Sequence, residues 1–172
     1  MGIKAKLAQR KFRKLAEKHK HHPVLPDMNK VKKIGVLWQP AHRRAFKFLK
    51  EDFMRQKVIL RELCVFEDTA NPLPDANTIT HNDLTWLGFP KPEKVNDFIN
   101  IEFDVLFNLA FEQNLVLDYL TFFSKAKFKV GTSKSESNFF DLNIKIDEKK
   151  GSIYLAQQQI FYLVQLNNTV SK

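Results

Sequence analysis

The sequence predicts an α/β fold: a three-layer sandwich on a mostly parallel sheet of about five strands, with a basic amphipathic helix added at the N-terminus. Three observations predict it. Short apolar runs alternate with helically periodic stretches from residue 30 onward. Strand, helix and strand follow one another twice, giving two β-α-β units whose crossovers make the pairing parallel. The run "FDVLFNLAF" (103–111) is apolar on both faces, as a strand covered on two sides must be. The simplest order, with strands numbered as they occur, is 2-1-3-4-5.

The first element is the stretch "KAKLAQRKFRKLAEKHKHH" (4–22). At about 100° per residue, Ala5, Ala8, Phe12, Leu15 and Ala16 share about a third of a helix circumference, and the cations fill the rest together with Leu7. This is an amphipathic helix that ends before His21-His22-Pro23. "PVLPDMN" (23–29), with two prolines in four residues, reads as a linker. Residues 1–29 are therefore an arm and linker, and 30–172 a single α/β domain that the arm lies outside and is not needed to fold.

Within that domain, Ile34–Trp38 is a strand stopped by Pro40, and His42, Ala45, Phe46, Leu49 and Phe53 recur at helical spacing. "KVILRELCVFE" (57–67) is the second strand, bounded by the turn-forming "DTANPLPDAN". Residues 68–92 are irregular, with a short helix started by Pro92. After the 103–111 strand, "NLVLDYLTFFSK" is a crossover helix capped by Asn114, and "AKFKVG" (126–131) is the fourth strand. "FFDLNIKID" alternates strictly, Phe140, Leu142, Ile144 and Ile146 against Asp141, Asn143, Lys145 and Asp147, which reads as a half-wet edge strand, antiparallel to its predecessor. The terminal helix after Gly151 should turn Ile153, Ile160, Phe161 and Val164 inward.

A chain of 172 residues with 16 Phe, 44% apolar residues and only 5 Gly suits one packed core without metal or disulfide. The single cysteine, Cys64, lies in an apolar run and reads as a buried, inert thiol. No stretch approaches the roughly 18 apolar residues of a membrane span, and the basic N-terminus is not followed by an apolar signal region. The expectation is a cytoplasmic protein without membrane contact.

The charge is unevenly placed. Residues 1–33 hold 11 of the 28 Lys and Arg and only 2 of the 19 acidic residues, so the whole net charge of +9 belongs to the arm and the body is neutral. Bulk attraction for an anion resides in the arm, with Lys4, Lys6, Arg10, Lys11, Arg13, Lys14 and Lys18 as polyanion-contact candidates.

With strands and loops placed, the span "LTWLGFPKPEKVNDFINIEFDVLFNL", followed by "FFSKAKFKVG" and "FFDLNIKI", resembles a family of short Bacteroidetes proteins of unknown function. Such proteins carry a Trp-x-Gly-Lys-Pro-Lys type element and a Ser-Lys-Ala-x-Phe-x-Val-Gly strand. The resemblance covers roughly residues 30–168 and implies no activity. Phe89 stands where the pattern has Lys, and Asn108 where it commonly has Asp.

Catalytic signatures are absent from the sequence. Neither strand-end loop, "QPAHRR" or "AFEQN", has the glycines a phosphate cradle needs, and no Gly-x-Ser-x-Gly elbow occurs. His19, His21 and His22 cluster without acidic support, so no metal site and no cofactor are expected. The anion or ligand candidates on the body are His42, Arg43 and Arg44 at a helix start, and His81, Asp83 and Trp86 in the irregular loop. Lys125, Lys127 and Lys129 read as a charged strand face that protects a sheet rim. The functional reading is a non-enzymatic interaction domain whose arm meets a protein partner, a second copy, or nucleic acid without sequence preference through residues 4–20. The alternative is a small-molecule or anion-binding protein, an enzyme included, with its site at the C-terminal ends of the first and third strands.

Overall fold

In a computed structural model that describes residues 2–66 and 77–170, α1 (Ile3–Ala16) precedes β1 (Lys33–Trp38), α2 (Arg43–Arg55), β2 (Ile59–Val65) and β3 (Thr78–Ile79). These are followed by α3 (Pro92–Ile99), β4 (Val105–Asn108), α4 (Leu115–Phe123), β5 (Lys129–Gly131), β6 (Leu142–Asn143) and α5 (Ser152–Val170). The strands form one sheet in the order β3-β2-β1-β4-β5-β6, and every pairing is parallel. The α/β architecture is the one expected, with two differences. A two-residue strand, β3, adds a sixth member outside β2, and the last strand is parallel rather than antiparallel. Residues 67–76, which include most of the expected "DTANPLPDAN" turn, lie outside the described residues.

The reason for the parallel β6 lies in the two polar residues that strict alternation assigned to water. Asp141 N donates to Lys129 O (2.8 Å), and the Asp141 carboxylate accepts Lys129 N (2.8 Å). The Asn143 amide works the same way, accepting from Ser133 N (2.8 Å) and donating to Ser133 O (3.0 Å). Side chains thus stand in for backbone partners and prolong a ladder of only two residues. A Cβ on Gly131 would run into the Phe140 ring, so glycine at that strand position lets the connection fold back over β5.

Two apolar clusters flank the sheet. On one side, α2 and α5 cover Val36, Trp38, Phe107 and Val130, with Trp38 stacked on Phe46 at 4.6 Å. On the other, α3 and α4 cover Leu37, Leu63, Phe103 and Leu106. Asn114 caps α4 by accepting from Val116 N and Leu117 N, as its position before the apolar run predicts. Cys64 is buried, and burial, with the nearby Glu62 charge, pushes its thiol up to about 12, which makes it inert.

The face of α5 differs from expectation. Leu155, Ala156, Gln159 and Leu163 are buried and Ile160, partly buried, packs against the core as expected, whereas Ile153, Phe161 and Val164 are exposed. This helix is apolar nearly all round, so periodicity offered two faces. The choice between them is made by Gln159, whose amide donates to Asn108 O at the end of β4 (2.8 Å). Lys129 also departs from the rim reading. Lys125 and Lys127 are exposed, but Lys129 is buried and its Nζ donates to Phe122 O (2.9 Å), one of the carbonyls left over in the last turn of α4. Burial pushes this ammonium down to about 8, against a smaller opposing pull from Asp141.

The helix α1 is shorter than expected, ending at Ala16, and the chain then runs extended along the body. His21 meets Asp141 (2.9 Å), Val24 N donates to Lys127 O (2.9 Å), and Asn167 donates to Pro26 O. Leu25 and Met28 pack against the α2/α5 cluster. The linker is therefore stitched to the residues just before β5 and β6 and to α5. No helix among the described residues is long and apolar enough to cross a membrane.

Two outcomes follow from this packing. Removing residues 1–17 leaves a cooperative unfolding transition and costs about 1–3 kcal/mol, because Phe12 is the one large side chain that α1 buries. Removing residues 1–28 costs clearly more, since the strap of Leu25, Pro26 and Met28 goes as well; equal stabilities in a urea titration would contradict the stitching. For Lys129, the folded protein releases its proton at lower pH than the unfolded chain. Between about 8 and the ordinary 10.5 the unfolded state binds more protons, so stability rises with pH across that window, by at most about 3 kcal/mol. A Lys129→Met variant should lack this rise when unfolding is measured from pH 7.5 to 10.5.

Candidate functional site

The N-terminal helix is built from residues that favour helix, has no acidic residue anywhere along it, and carries Arg13 and Lys14 in its last turn, where cations complement the carbonyl end. Only Ala8 and Phe12 are buried. The Phe12 ring enters a socket of aromatic edges. Phe139 lies at 5.2 Å, Phe122 at 5.5 Å and Phe123 at 6.1 Å, all edge-on, with Phe89 stacked at 6.3 Å. These contacts fit the quadrupole preference for edge-to-face rings. Three separate segments supply the socket: Phe122 and Phe123 from the end of α4, Phe139 from the β5–β6 connection, and Phe89 from the turn closed by Gly88 at φ 89°. The β5–β6 connection has no helix of its own, and α1 covers it where a crossover helix would otherwise lie.

This docking decides where the charge points. Lys4, Lys6, Arg10, Lys11, Arg13, Lys14 and Lys18 are all exposed, and none of them forms an ion pair among the described residues. On a helical wheel the six that lie within α1 occupy about half of the circumference, away from Phe12, with Lys4 nearest to Ala8, and Lys18 follows in the turn after the helix. Ile3 and Leu7, both exposed, lie within the same outward arc. Lys11 also holds its ammonium 5.7 Å from the Phe89 ring centre.

The candidates on the body fall into two separate groups. His42 ends a short 3-10 turn after β1, with its ring 5.6 Å from Phe111. Arg43 and Arg44 are exposed and, with Pro40, Ala41 and Lys47, line a shallow cleft of about 450 Å³. This lies at the point where strand order reverses between β1 and β4. His81, Asp83 and Trp86 sit after β3, two strands away across the sheet. There Asp83 is committed to structure, accepting from Thr80 and pairing with Lys94 at 3.1 Å. Burial alone would raise its carboxyl, but these donors outweigh it and hold the group below its ordinary value. Trp86 is 71% exposed, so it does not anchor its loop to the core.

Two features are not apparent in the sequence. One is a buried polar cluster at the ends of β4 and β5. Asn108 donates to Gln113 (2.8 Å) and Thr121 (3.3 Å) and accepts from Ala110 N (3.0 Å), while Gln113 bridges to Thr132 O (3.2 Å). It ties the strand-end loops rigidly together and leaves a cleft on the outer side of Gln113. The other is Asp118, on the face of α4 toward α1, discussed below. Among the described residues no group of three or more His, Cys, Asp or Glu side chains could hold a metal ion. His19 instead packs against Phe122 and Phe123, and burial, then the Lys129 charge, keeps it below its ordinary value.

Comparison with curated proteins and with solved structures gives no match. Comparison with protein families gives one, a family of unknown function (DUF6913) whose profile matches residues 4–166. The match begins inside α1 and ends inside α5, so it takes in the cationic helix together with the sheet. By this match over nearly its whole length, the chain belongs to the DUF6913 family.

Proposed function

We propose that the chain is a non-enzymatic interaction domain that uses α1 to hold a polyanion of the phosphodiester class, without sequence preference. The observation that carries this reading is the fixed display of exposed cations that form no ion pair among the described residues, six of them (Lys4, Lys6, Arg10, Lys11, Arg13 and Lys14) on a helix held by Phe12. A solvated charge run on a flexible arm would lose orientational freedom on binding. Here the helix is already set against the body and that cost is reduced. The cations are mostly lysines on one convex helix, which offers point charges to phosphates and no paired geometry for base edges. This reading places the protein in the cytoplasm, where nucleic acid is the abundant phosphodiester, and, on its motif resemblance, in a bacterium of the Bacteroidetes.

About half of the helix circumference can face one strand at a time, so about four to six phosphates are contacted, giving a log-log salt slope of roughly −3 to −5. Between 50 and 200 mM salt the affinity for a labelled single-stranded RNA should then fall by about 10²- to 10³-fold. Replacing Lys6, Arg10, Arg13 and Lys14 together by Gln leaves Phe12 in its socket and should flatten the slope by about 2 to 4. Scrambling the RNA sequence should change nothing. Undetectable or salt-insensitive binding, or equal binding by the substituted form, would overturn the proposal and leave α1 as a surface for a protein partner or a second copy.

A further inference from the structure

A groove of about 920 Å³ runs between α1 and α4 beside the Phe12 socket. Its walls are mostly apolar, with Ala5, Ala8 and Phe12 on one side and Leu115 and Phe139 on the other. At one end Asp118, Gln113 and Ser137 line both this groove and a second cleft of about 340 Å³, to which Ser133 and Ser135 contribute. An apolar trough thus runs into a hydroxyl-rich pocket, with a single carboxylate at the junction.

Asp118 is unlike every other partly buried carboxylate among the described residues. Glu62 accepts from Trp38 (2.6 Å), Asp83 from Thr80 and Lys94, Asp104 from the Lys32 and Lys33 amides and Lys127, and Asp141 from His21 and the Lys129 amide. The Asp118 carboxylate has no hydrogen-bond or ion-pair partner among the described residues. Burial alone pushes it up to about 6. Arg13 and Lys4 also line the groove, from the α1 side, but no nearby cation offsets the burial, so neither neutralises this carboxylate. A partly buried carboxylate that no donor meets costs stability, against which its place in the first turn of α4 returns only a small favourable interaction with the helix end. The missing complement is a cation that arrives with its own apolar body.

We propose that this groove binds an amphipathic organic amine, its apolar portion along Ala5, Ala8 and Phe12 and its ammonium on the Asp118 carboxylate beside Ser137. A cavity of this volume is ample for a small amphiphile, and Asp118 is the one partly buried charge that lines it, Lys4 and Arg13 being exposed, so the carboxylate selects the sign of a head group seated inside. The site lies on the inner face of α1 and shares only Lys4 and Arg13 with the cations of the polyanion reading.

The test uses the full chain and three probes of equal chain length: n-octylamine, 1-octanol and octanoate, below their aggregation concentrations, with affinities read by isothermal calorimetry. The amine should bind at least about tenfold more tightly than the alcohol, the difference that one charge-assisted contact supplies. Asp118→Asn should erase that tenfold preference while leaving the alcohol affinity unchanged, and this variant should melt at a higher temperature at pH 7 because the uncompensated carboxylate is gone. Ala5→Trp, which fills the trough from the exposed side of α1, should abolish binding of both amine and alcohol. Octanoate binding as tightly as the amine, an amine preference that survives Asp118→Asn, or no binding by the amine, would each overturn the proposal.

Discussion

The position of α1, and with it the orientation of most of the protein's net charge, depends on one ring. Phe12 is the only large side chain that the basic helix buries, and the socket it enters is made by residues remote from one another in sequence. Burying one phenyl ring is worth roughly 1.5–3 kcal/mol, with about 0.5–1.5 more for each favourable edge-on contact. That is enough to hold a helix of 14 residues which could not form stably alone. It also fixes the rotation of the helix, so a half-circumference of cations faces solvent and a strip of alanines faces the body.

The sheet beneath is finished by side chains acting in place of backbone. Asp141 and Asn143 pair the last strand to β5, Asn108 and Gln113 lock the loops beyond β4, Lys129 meets a leftover carbonyl of α4, and Gln159 fixes the seating of α5 on the end of β4. Each is a polar group removed from water that meets a specific partner, the condition on which burial of such groups is tolerated, although the Oε1 of Gln159 is buried without one. The same devices hold the β5–β6 connection in place, and this connection carries Phe139 to Phe12. Edge pairing and arm docking are thereby parts of one construction.

Much of this could be read from sequence, and the misses share a cause. Periodicity and capping found both β-α-β units, the order of the longer strands, the Asn114 cap and the inert Cys64, because those depend on neighbours within a few residues. It misplaced Asp141, Asn143 and Lys129, which are polar residues whose partners lie across strands or on another helix, and alternation assigns such residues to water. It chose the wrong face of α5 because a helix apolar nearly all round has no single moment, and the buried Gln159 counted against the correct face. The cations of α1 were legible as a charge run. The socket was not, since Phe89, Phe122, Phe123 and Phe139 are scattered, and one phenylalanine among sixteen carries no mark of its role. Asp118 carries no mark in the sequence for the same reason: a lone carboxylate near the start of a helix is ordinary until its surroundings are seen.

The central claim is that α1 remains docked while its outer face meets a polyanion. Nuclear magnetic resonance of the full chain, with and without a short RNA, tests it most directly. The account predicts that Phe12 keeps its ring contacts with Phe122 and Phe139 in both states, and that the shifts caused by the RNA concentrate on Lys6, Arg10, Arg13 and Lys14. Loss of the Phe12 contacts on binding, or shifts centred instead on Arg43 and Arg44 or on the exposed side of α5, would contradict it.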